Sequence, residues 1–444
     1  MKTREIVYKI LQDVFEKNAY VNISFNNHLK YQELKEMDVG FIKEMVFGVI
    51  ERKYTLDFIL SFFIKKTSDL KAIIFLEMGL YQLLYMDKVP SYAAINETVD
   101  AAKKVLGIKR ANFINAILRN YQREREWVVF PDKEKDFMKY LKITYSYPDW
   151  IVERLLNNYD KKKAESILKS LNERPGICYR VNTLKITVED LEKLLASEGI
   201  AYKKGHYVEE ALYIDIRNPE NHRLYKEGFV YIQDEASMLV SKILNPQQGE
   251  TVLDVCAAPG GKTTHIGQLI KNSGEVIAFD LHPHRLEMIR ENCKRLGITN
   301  VKTEVFDATF VNKKYVEKAN KVLADVPCTG IGIIRKKPDI KLKQYTKEKI
   351  EKLIETQYKI LQSSSKYVKK GGFLVYSTCT VGKEENQEVI MEFLKVNQNF
   401  ELVDITNEIP KGLPIETSSC GYVQTTPLEH KIDGFFIAKL KRIR

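Results

Sequence analysis

Two of the six cysteines each follow an apolar run that ends in small or polar residues: Lys321-Val-Leu-Ala-Asp-Val-Pro-Cys328 and Gly372-Phe-Leu-Val-Tyr-Ser-Thr-Cys379. Such runs read as parallel strands, and their C-terminal ends form the edge at which open α/β sheets bind ligands. Neighbouring strands lie only about 4.8 Å apart, so two thiols at that edge can share one site. A third segment, Asp254-Val-Cys-Ala-Ala-Pro-Gly-Gly-Lys-Thr-Thr, is a tight glycine turn between a strand and a helix. There the backbone can approach a ligand closely and helix N–H groups point at it. A nucleotide P-loop would need glycine at position 256, which is cysteine. The dinucleotide pattern GxGxxG is absent as well. S-adenosylmethionine remains, because methyltransferase sheets use this first turn and carry a carboxylate at the end of the second strand. Asp280, after Glu275-Val-Ile-Ala-Phe, stands in that position and suits two ribose hydroxyls, while Asp307 and Asp325 end comparable runs.

Oxygen and nitrogen acceptors of a methyl group need no thiol. Carbon 5 of cytosine does: a thiolate that adds to carbon 6 pushes electron density onto carbon 5. A carboxyl such as Asp325 is suited to contact ring nitrogen 3, and a base must later take the carbon-5 proton so that the thiol is expelled. A free thiol with a pKa of about 8.5 is only a few per cent ionised at neutral pH, so the site must promote its ionisation. Residue chemistry alone leaves open which sulfur attacks. The remaining cysteines look inert. Cys293 falls on a helical stripe with Leu286, Ile289 and Leu296, Cys178 lies in a strand of the middle region, Cys256 sits inside the glycine turn, and Cys420 lies in a loop. No CxxC pair is present, so no metal site and no disulfide scaffold is expected. Between the two thiols runs a basic stretch, with Arg335, Lys336, Lys337, Lys341 and Lys343 as candidates for contact with RNA phosphates.

These segments need a scaffold, and the 444 residues suffice for about three domains. The net charge of +11 leans towards an anionic partner. No apolar stretch approaches the roughly 20 residues of a membrane span, and the charged N-terminus enters helical periodicity directly, so a cytoplasmic protein is expected. Residues 1–125 read as an all-α bundle: Ile6, Val7, Ile10, Leu11, Val14 and Phe15 form one stripe, and Phe41, Ile42, Met45, Val46 and Val49 another. Residues 126–147 read as a charged linker. Residues 148–240 read as a small α+β unit able to act as an RNA platform, and residues 241–444 as a doubly wound α/β domain with alternating strands and helices.

The whole chain resembles the RNA cytosine carbon-5 methyltransferases of the NOL1/NOP2/Sun family. The motifs that carry the likeness are Gln233-Asp-Glu-Ala-Ser, Asp254-Val-Cys-Ala-Ala-Pro-Gly-Gly-Lys-Thr, Asp325-Val-Pro-Cys328, Tyr376-Ser-Thr-Cys379 and Asp433-Gly-Phe-Phe. The N-terminal helices, with Ile95-Asn-Glu-Thr-Val-Asp and Asn115-Ala-Ile-Leu-Arg, are similar to the domain shared with the antitermination factor NusB. The resemblance implies a class I, Rossmann-like methyltransferase domain behind an RRM-like α+β unit. It implies cofactor contacts from Cys256, Ala257, Ala258, Pro259, Gly260, Gly261 and Lys262, and from Asp280, Asp307 and Asp325. It also implies that Cys379 is the nucleophile, that Cys328 assists product release, and that the substrate is 16S ribosomal RNA; a monomer is expected. Departures are slight: Val326 stands where alanine is commoner, and Thr329 and Thr380 where serine is. Two rival expectations are a transfer RNA substrate for the same chemistry and a non-catalytic, NusB-like RNA-binding factor.

Overall fold

The computed structural model describes residues 3–30, 32–65, 69–216, 218–414 and 421–444, so Cys420 lies outside the described residues. The chain forms two compact units, one of residues 1–173 with 334–344, the other of residues 174–333 with 345–444.

The first unit is helical. It runs through α1 (Thr3–Lys17), α2 (Val21–Leu29), α3 (Glu36–Glu51), α4 (Lys53–Leu60), α5 (Leu70–Tyr85), α6 (Ser91–Leu106), α7 (Ile108–Glu124), α8 (Phe137–Tyr145), α9 (Asp149–Asn158) and α10 (Lys161–Ser170). The expected stripes of α1 and α3 face the core, buried except for the half-buried Phe15 and Phe41, and Gly107 closes α6 with φ +85°. Helix α5 shows no amphipathic contrast in sequence because it is buried nearly all round, from Ile74 through Gln82. The charged stretch 126–147 also holds a helix. Asp136 caps α8 by accepting from the Lys139 N–H at 3.0 Å, and Leu141 and Ile143 face inward. The Thr55 hydroxyl then donates to the Ile143 carbonyl at 2.6 Å, fastening α8 to α4. A run rich in Asp, Lys and Glu therefore precedes an amphipathic helix rather than a loose tether.

The basic stretch departs most clearly from expectation. Pro338–Leu342 form a 3-10 turn in the helical unit, with Ile340 and Lys341 buried. The Lys341 ammonium donates to the Glu51 carbonyl at 3.1 Å and to Asn172 Oδ1 at 2.8 Å, 3.8 Å above the Tyr147 ring. Burial holds that ammonium well below the usual lysine range, against the pull of Glu51. Lys341 is a buried anchor and cannot offer its charge to a phosphate. The others differ: Lys337 is exposed and Arg335, Lys336 and Lys343 are half-buried.

The second unit holds two sheets. In the smaller, β1 (Cys178–Val181), β2 (Tyr202–Lys204), β3 (Ala211–Ile214) and β4 (Val230–Ile232) pair antiparallel in the order β2-β3-β1-β4, with α11 (Val188–Ser197) after β1 and the short α12 (Arg223–Lys226) before β4. Helix α13 (Glu235–Leu244) leads into the larger sheet. Its strands are β5 (Thr251–Asp254), β6 (Glu275–Asp280), β7 (Val301–Val305), β8 (Ala319–Asp325), β9 (Val368–Thr378), β10 (Phe400–Leu402), β11 (Tyr422–Gln424) and β12 (Phe436–Arg442). Their order is β10-β12-β9-β8-β5-β6-β7, with β11 also paired to β12.

Strands β9, β8, β5, β6 and β7 run parallel, joined by α14 (Gly261–Leu269), α15 (Pro283–Leu296) and α16 (Lys347–Ser365). Past α17 (Gln387–Val396) and the short α18 (Pro427–His430), β12 returns antiparallel along β9, so alternation fails at this edge of the sheet. The central strands are buried on both faces, as parallel strands covered by helices must be. Among the described residues, no helix is long and apolar enough to cross a membrane.

Candidate active site

Strands β8 and β9 are neighbours in register, Asp325 opposite Ser377, and each runs on into a cysteine-bearing turn. The Cys328 and Cys379 sulfurs stand 3.2 Å apart, and the Cys379 N–H donates to Cys328 Sγ at 3.3 Å. The hydrogen bond with the Cys379 sulfur, then burial, then the negative charges of Cys379 and Glu385 push the Cys328 thiol well above its ordinary range. Asp325 closes β8 and is held from two sides: Oδ2 accepts from Lys262 Nζ at 2.7 Å, and Oδ1 from the Ser377 hydroxyl at 2.7 Å. Burial draws the Lys262 ammonium down, but the Asp325 charge outweighs it and leaves Lys262 above the usual lysine value.

The glycine turn lies at the same sheet edge. The Ala257 N–H donates to the Phe279 carbonyl at 2.8 Å, tying the turn to β6. Gly260 caps α14 with φ +99°, where a side chain would be strained and a methyl would meet Ile289 Cα at 3.3 Å. Asp280 is buried and accepts from the Ala258 and His282 N–H groups, each at 3.2 Å, with Arg285 at 3.3 Å. Asp307 follows β7 by two residues, and the Phe306 N–H donates to the Asp280 carbonyl, so the two carboxylates stand on adjoining strand ends. Asp254 Oδ2 accepts from the Thr263 hydroxyl at 2.7 Å, while its buried Oδ1 has no partner among the described residues. Burial pushes this carboxyl up to about 7. Cys256 is pushed well above the usual thiol range, by burial first and then by Asp254, Asp325 and Asp280, so it stays a neutral thiol in the turn. Cys293 and Cys178 are buried, the former on the expected stripe of α15. Among the described residues, no cluster of three or more His, Cys, Asp or Glu could hold a metal.

Several positions carry more than the sequence disclosed. Arg180, in the middle of β1, is buried and donates to the Gly261 carbonyl at 2.7 Å, the Thr264 hydroxyl at 3.0 Å and Gln268 Oε1 at 3.1 Å. It also donates to Gln233, and so grips the first turn of α14 from the small sheet. An arginine in a short apolar strand carries no spacing signal that would reveal this. The Gln233-Asp-Glu segment is likewise structural. Asp234 caps α13, and the Glu235 carboxylate accepts from the N–H groups of His206, Tyr207 and Val208. A final device is Gly332, whose N–H donates to the Cys379 carbonyl at 3.0 Å. A methyl at Gly332 would lie 1.9 Å from the Gly434 carbonyl oxygen, so the Asp433-Gly segment packs directly on the turn following Cys328.

A parallel sheet with this first turn, a carboxylate closing its second strand and two thiols at its catalytic edge defines a methyltransferase, here fused to helical and ferredoxin-like parts. Residues 241–441 match the family described as 16S rRNA methyltransferase RsmB/F, residues 1–123 the NusB family, and residues 147–219 the RsmF/B-like ferredoxin-like domain. The chain is 38% identical over 452 residues to the probable ribosomal RNA small subunit methyltransferase B of Bacillus subtilis, covering 99% of this chain and 98% of that one. It is 32% identical to the ribosomal RNA small subunit methyltransferase B of Vibrio cholerae, over 93% of this chain and 91% of that one. Among solved structures, PH0851 aligns over 100% of this chain and 99% of its own, with 27% identity and a TM-score of 0.84. NSun6 from Pyrococcus horikoshii, solved with SFG, aligns over 68% of this chain and 99% of its own, with 25% identity and a TM-score of 0.59. The chain belongs to the ribosomal RNA small subunit methyltransferase B family.

Proposed function

We propose that this enzyme methylates carbon 5 of a specific cytosine in 16S ribosomal RNA, through a transient covalent bond between Cys379 and carbon 6 of the base. The observation that carries this reading is the 3.2 Å approach of the Cys328 and Cys379 sulfurs, on strands whose ends also hold the Asp325–Lys262 pair. An enzyme that methylates oxygen or nitrogen has no use for two converging thiols.

The cofactor on this reading is S-adenosylmethionine. The residues at the turn fit it: a glycine cradle whose positive φ at Gly260 strains any side chain, the buried Asp280 carboxylate at a strand end, and the unpartnered Oδ1 of Asp254 beneath the turn. Asp280 would take the ribose hydroxyls, Asp307 and the 256–262 turn the remaining polar groups. When bound, the cofactor supplies a methyl group made electrophilic by its sulfonium. The protein's part is to make carbon 5 able to accept it. Cys379 as thiolate adds to carbon 6, a proton shared between Asp325 and nitrogen 3 meets the electron density that arrives there, and Lys262 orients and compensates the Asp325 carboxylate. After methyl transfer the carbon-5 proton leaves to a base, the ring double bond re-forms, and the Cys379 sulfur departs with its electron pair, a step that Cys328 assists. The target base must first be unstacked from the RNA into the pocket. Arg335, Lys336, Lys337 and Lys343 serve as phosphate contacts.

RNA containing 5-fluorocytosine tests the whole scheme, because fluorine cannot leave as a proton does and the adduct is trapped. We expect a stable protein–RNA complex that forms only with S-adenosylmethionine and maps to Cys379. An adduct on Cys328, or methylation with no trapped complex, would overturn the proposal.

A further inference from the structure

Behind the two sulfurs lies a pair of adjacent, fully buried polar residues that the chemistry above does not use, Glu385 and Asn386. The Glu385 carboxylate accepts from the Thr329 N–H at 2.9 Å and from the Thr329 hydroxyl at 2.5 Å, and Thr329 directly follows Cys328. It also accepts from Gln357 Nε2 at 2.8 Å, and the same amide donates to the Pro327 carbonyl at 2.9 Å. Cys328 is thus flanked on both sides by residues tied, directly or through Gln357, to one carboxylate. Asn386 does the same for the other sulfur. Its Oδ1 accepts from the Thr378 hydroxyl at 2.6 Å and its Nδ2 donates to the Thr380 carbonyl at 3.2 Å, the two residues on either side of Cys379. The Thr329 and Thr380 hydroxyls meet at 3.0 Å, and Tyr376 donates to the Glu385 carbonyl at 2.6 Å, closing the frame.

We propose that Glu385 and Asn386 are positioning residues for the two thiols, Glu385 anchoring the turn that carries Cys328 and Asn386 the strand end that carries Cys379. Because they are consecutive in the chain, they set the gap between the sulfurs through a single peptide unit. The side on which the carboxylate sits matters too. Glu385 bonds directly to the residue after Cys328 and meets the residue after Cys379 through the Thr329 hydroxyl. Its negative charge is among the influences that raise the Cys328 thiol, opposing a second charge on that sulfur. The arrangement gives two chemically identical side chains unequal surroundings.

The inference rests on the covalent reading above, and its test separates the two. In Glu385→Gln, shape and one acceptor oxygen survive while the charge is lost. We expect kcat for methyl transfer to fall about 10- to 100-fold, as for a small misplacement of reacting groups. KM for RNA and for S-adenosylmethionine should stay within about twofold of the original protein, since the cofactor turn is untouched. Alkylation of Cys328 by iodoacetamide, followed by peptide mass mapping, should shift to lower pH. Asn386→Asp should lower kcat to a similar extent. Thr329→Val, which removes the hydroxyl's contacts to Glu385 and Thr380 but keeps the Thr329 N–H bond, should lower kcat less, and Thr329→Ser should restore it. An unchanged kcat in Glu385→Gln, a kcat loss matched by a KM rise, or an unmoved Cys328 alkylation profile would each overturn the inference. Should Glu385→Gln fail to fold, the Thr329 pair decides, and a wild-type rate in Thr329→Val would overturn it. If Cys379→Ala still methylates, the covalent reading itself falls; if Cys379→Ala is dead while Glu385→Gln is normal, only the positioning role does.

Discussion

Lys341 in the helical unit and Lys262 in the methyltransferase unit are both withdrawn from water, and their surroundings treat them in opposite ways. Lys341 rests on a carbonyl, an amide oxygen and a tyrosine ring, and burial drives its ammonium towards the neutral form. Lys262 faces the Asp325 carboxylate at 2.7 Å and stays a cation despite its burial. The first arrangement spends polar contacts on holding a turn in place. The second preserves a charge pair which, on the proposed function, lies beside the reacting groups, where a fixed electrostatic partner does most for a transition state.

The comparison can be broken or sharpened by substitution. At the catalytic edge the largest effect belongs to Cys379→Ala, which should drop methyl transfer to background, a loss on the order of 10⁴-fold or more in a single-turnover assay. Cys328→Ala should instead leave protein covalently attached to unmodified-base RNA on a denaturing gel, and full turnover by that variant would remove its release role. Lys262→Met, which strands the Asp325 charge, should slow methylation about 10²-fold; a near-normal rate would erase the distinction between the two lysines. In RNA binding, Lys337→Ala should reduce the slope of log affinity against log salt by about 0.7–0.9, one phosphate contact's worth, while Lys341→Met should leave the slope unchanged. The smallest effect concerns stability. Lys341→Met should cost about 1–3 kcal/mol, because the Glu51 carbonyl and Asn172 Oδ1 lose their donor. For Lys341 the folded protein binds its proton less well than the unfolded chain does. Stability should therefore rise with pH from the depressed folded value up to about 10.4, and Lys341→Met should lack that rise in denaturant titrations.

What could be read from the sequence follows from where the physical signal lies. The parallel strands, the glycine turn, Asp280 and the two thiols all sit in local patterns: an apolar run, a turn and a reactive side chain at its end. Helix α8 escaped because acidic and basic residues hide two inward positions, Leu141 and Ile143. The basic stretch misled at Lys341 for a related reason. A 3-10 turn points every third residue the same way, so Pro338 and Lys341 face inward together while Lys337 does not. Arg180, Glu385 and Asn386 were invisible because their partners are long-range. Arg180 bonds across 81 residues to Gly261 and Glu385 across 56 to Thr329, and no window of sequence shows such pairs.

The short excursion of residues 334–344 into the helical unit has one more consequence. As the polypeptide leaves the ribosome, the helical unit cannot be finished when its own first 173 residues have emerged, because the Pro338–Leu342 turn that Tyr54 and Trp150 hydrogen-bond is still unsynthesised. It must wait until half of the larger sheet, strands β5 to β8, has also been made. A protein cut after residue 173 would keep its helices but lack the plug that Tyr147, Asn172 and Glu51 close upon, so the two units are modular in shape yet interdependent in birth.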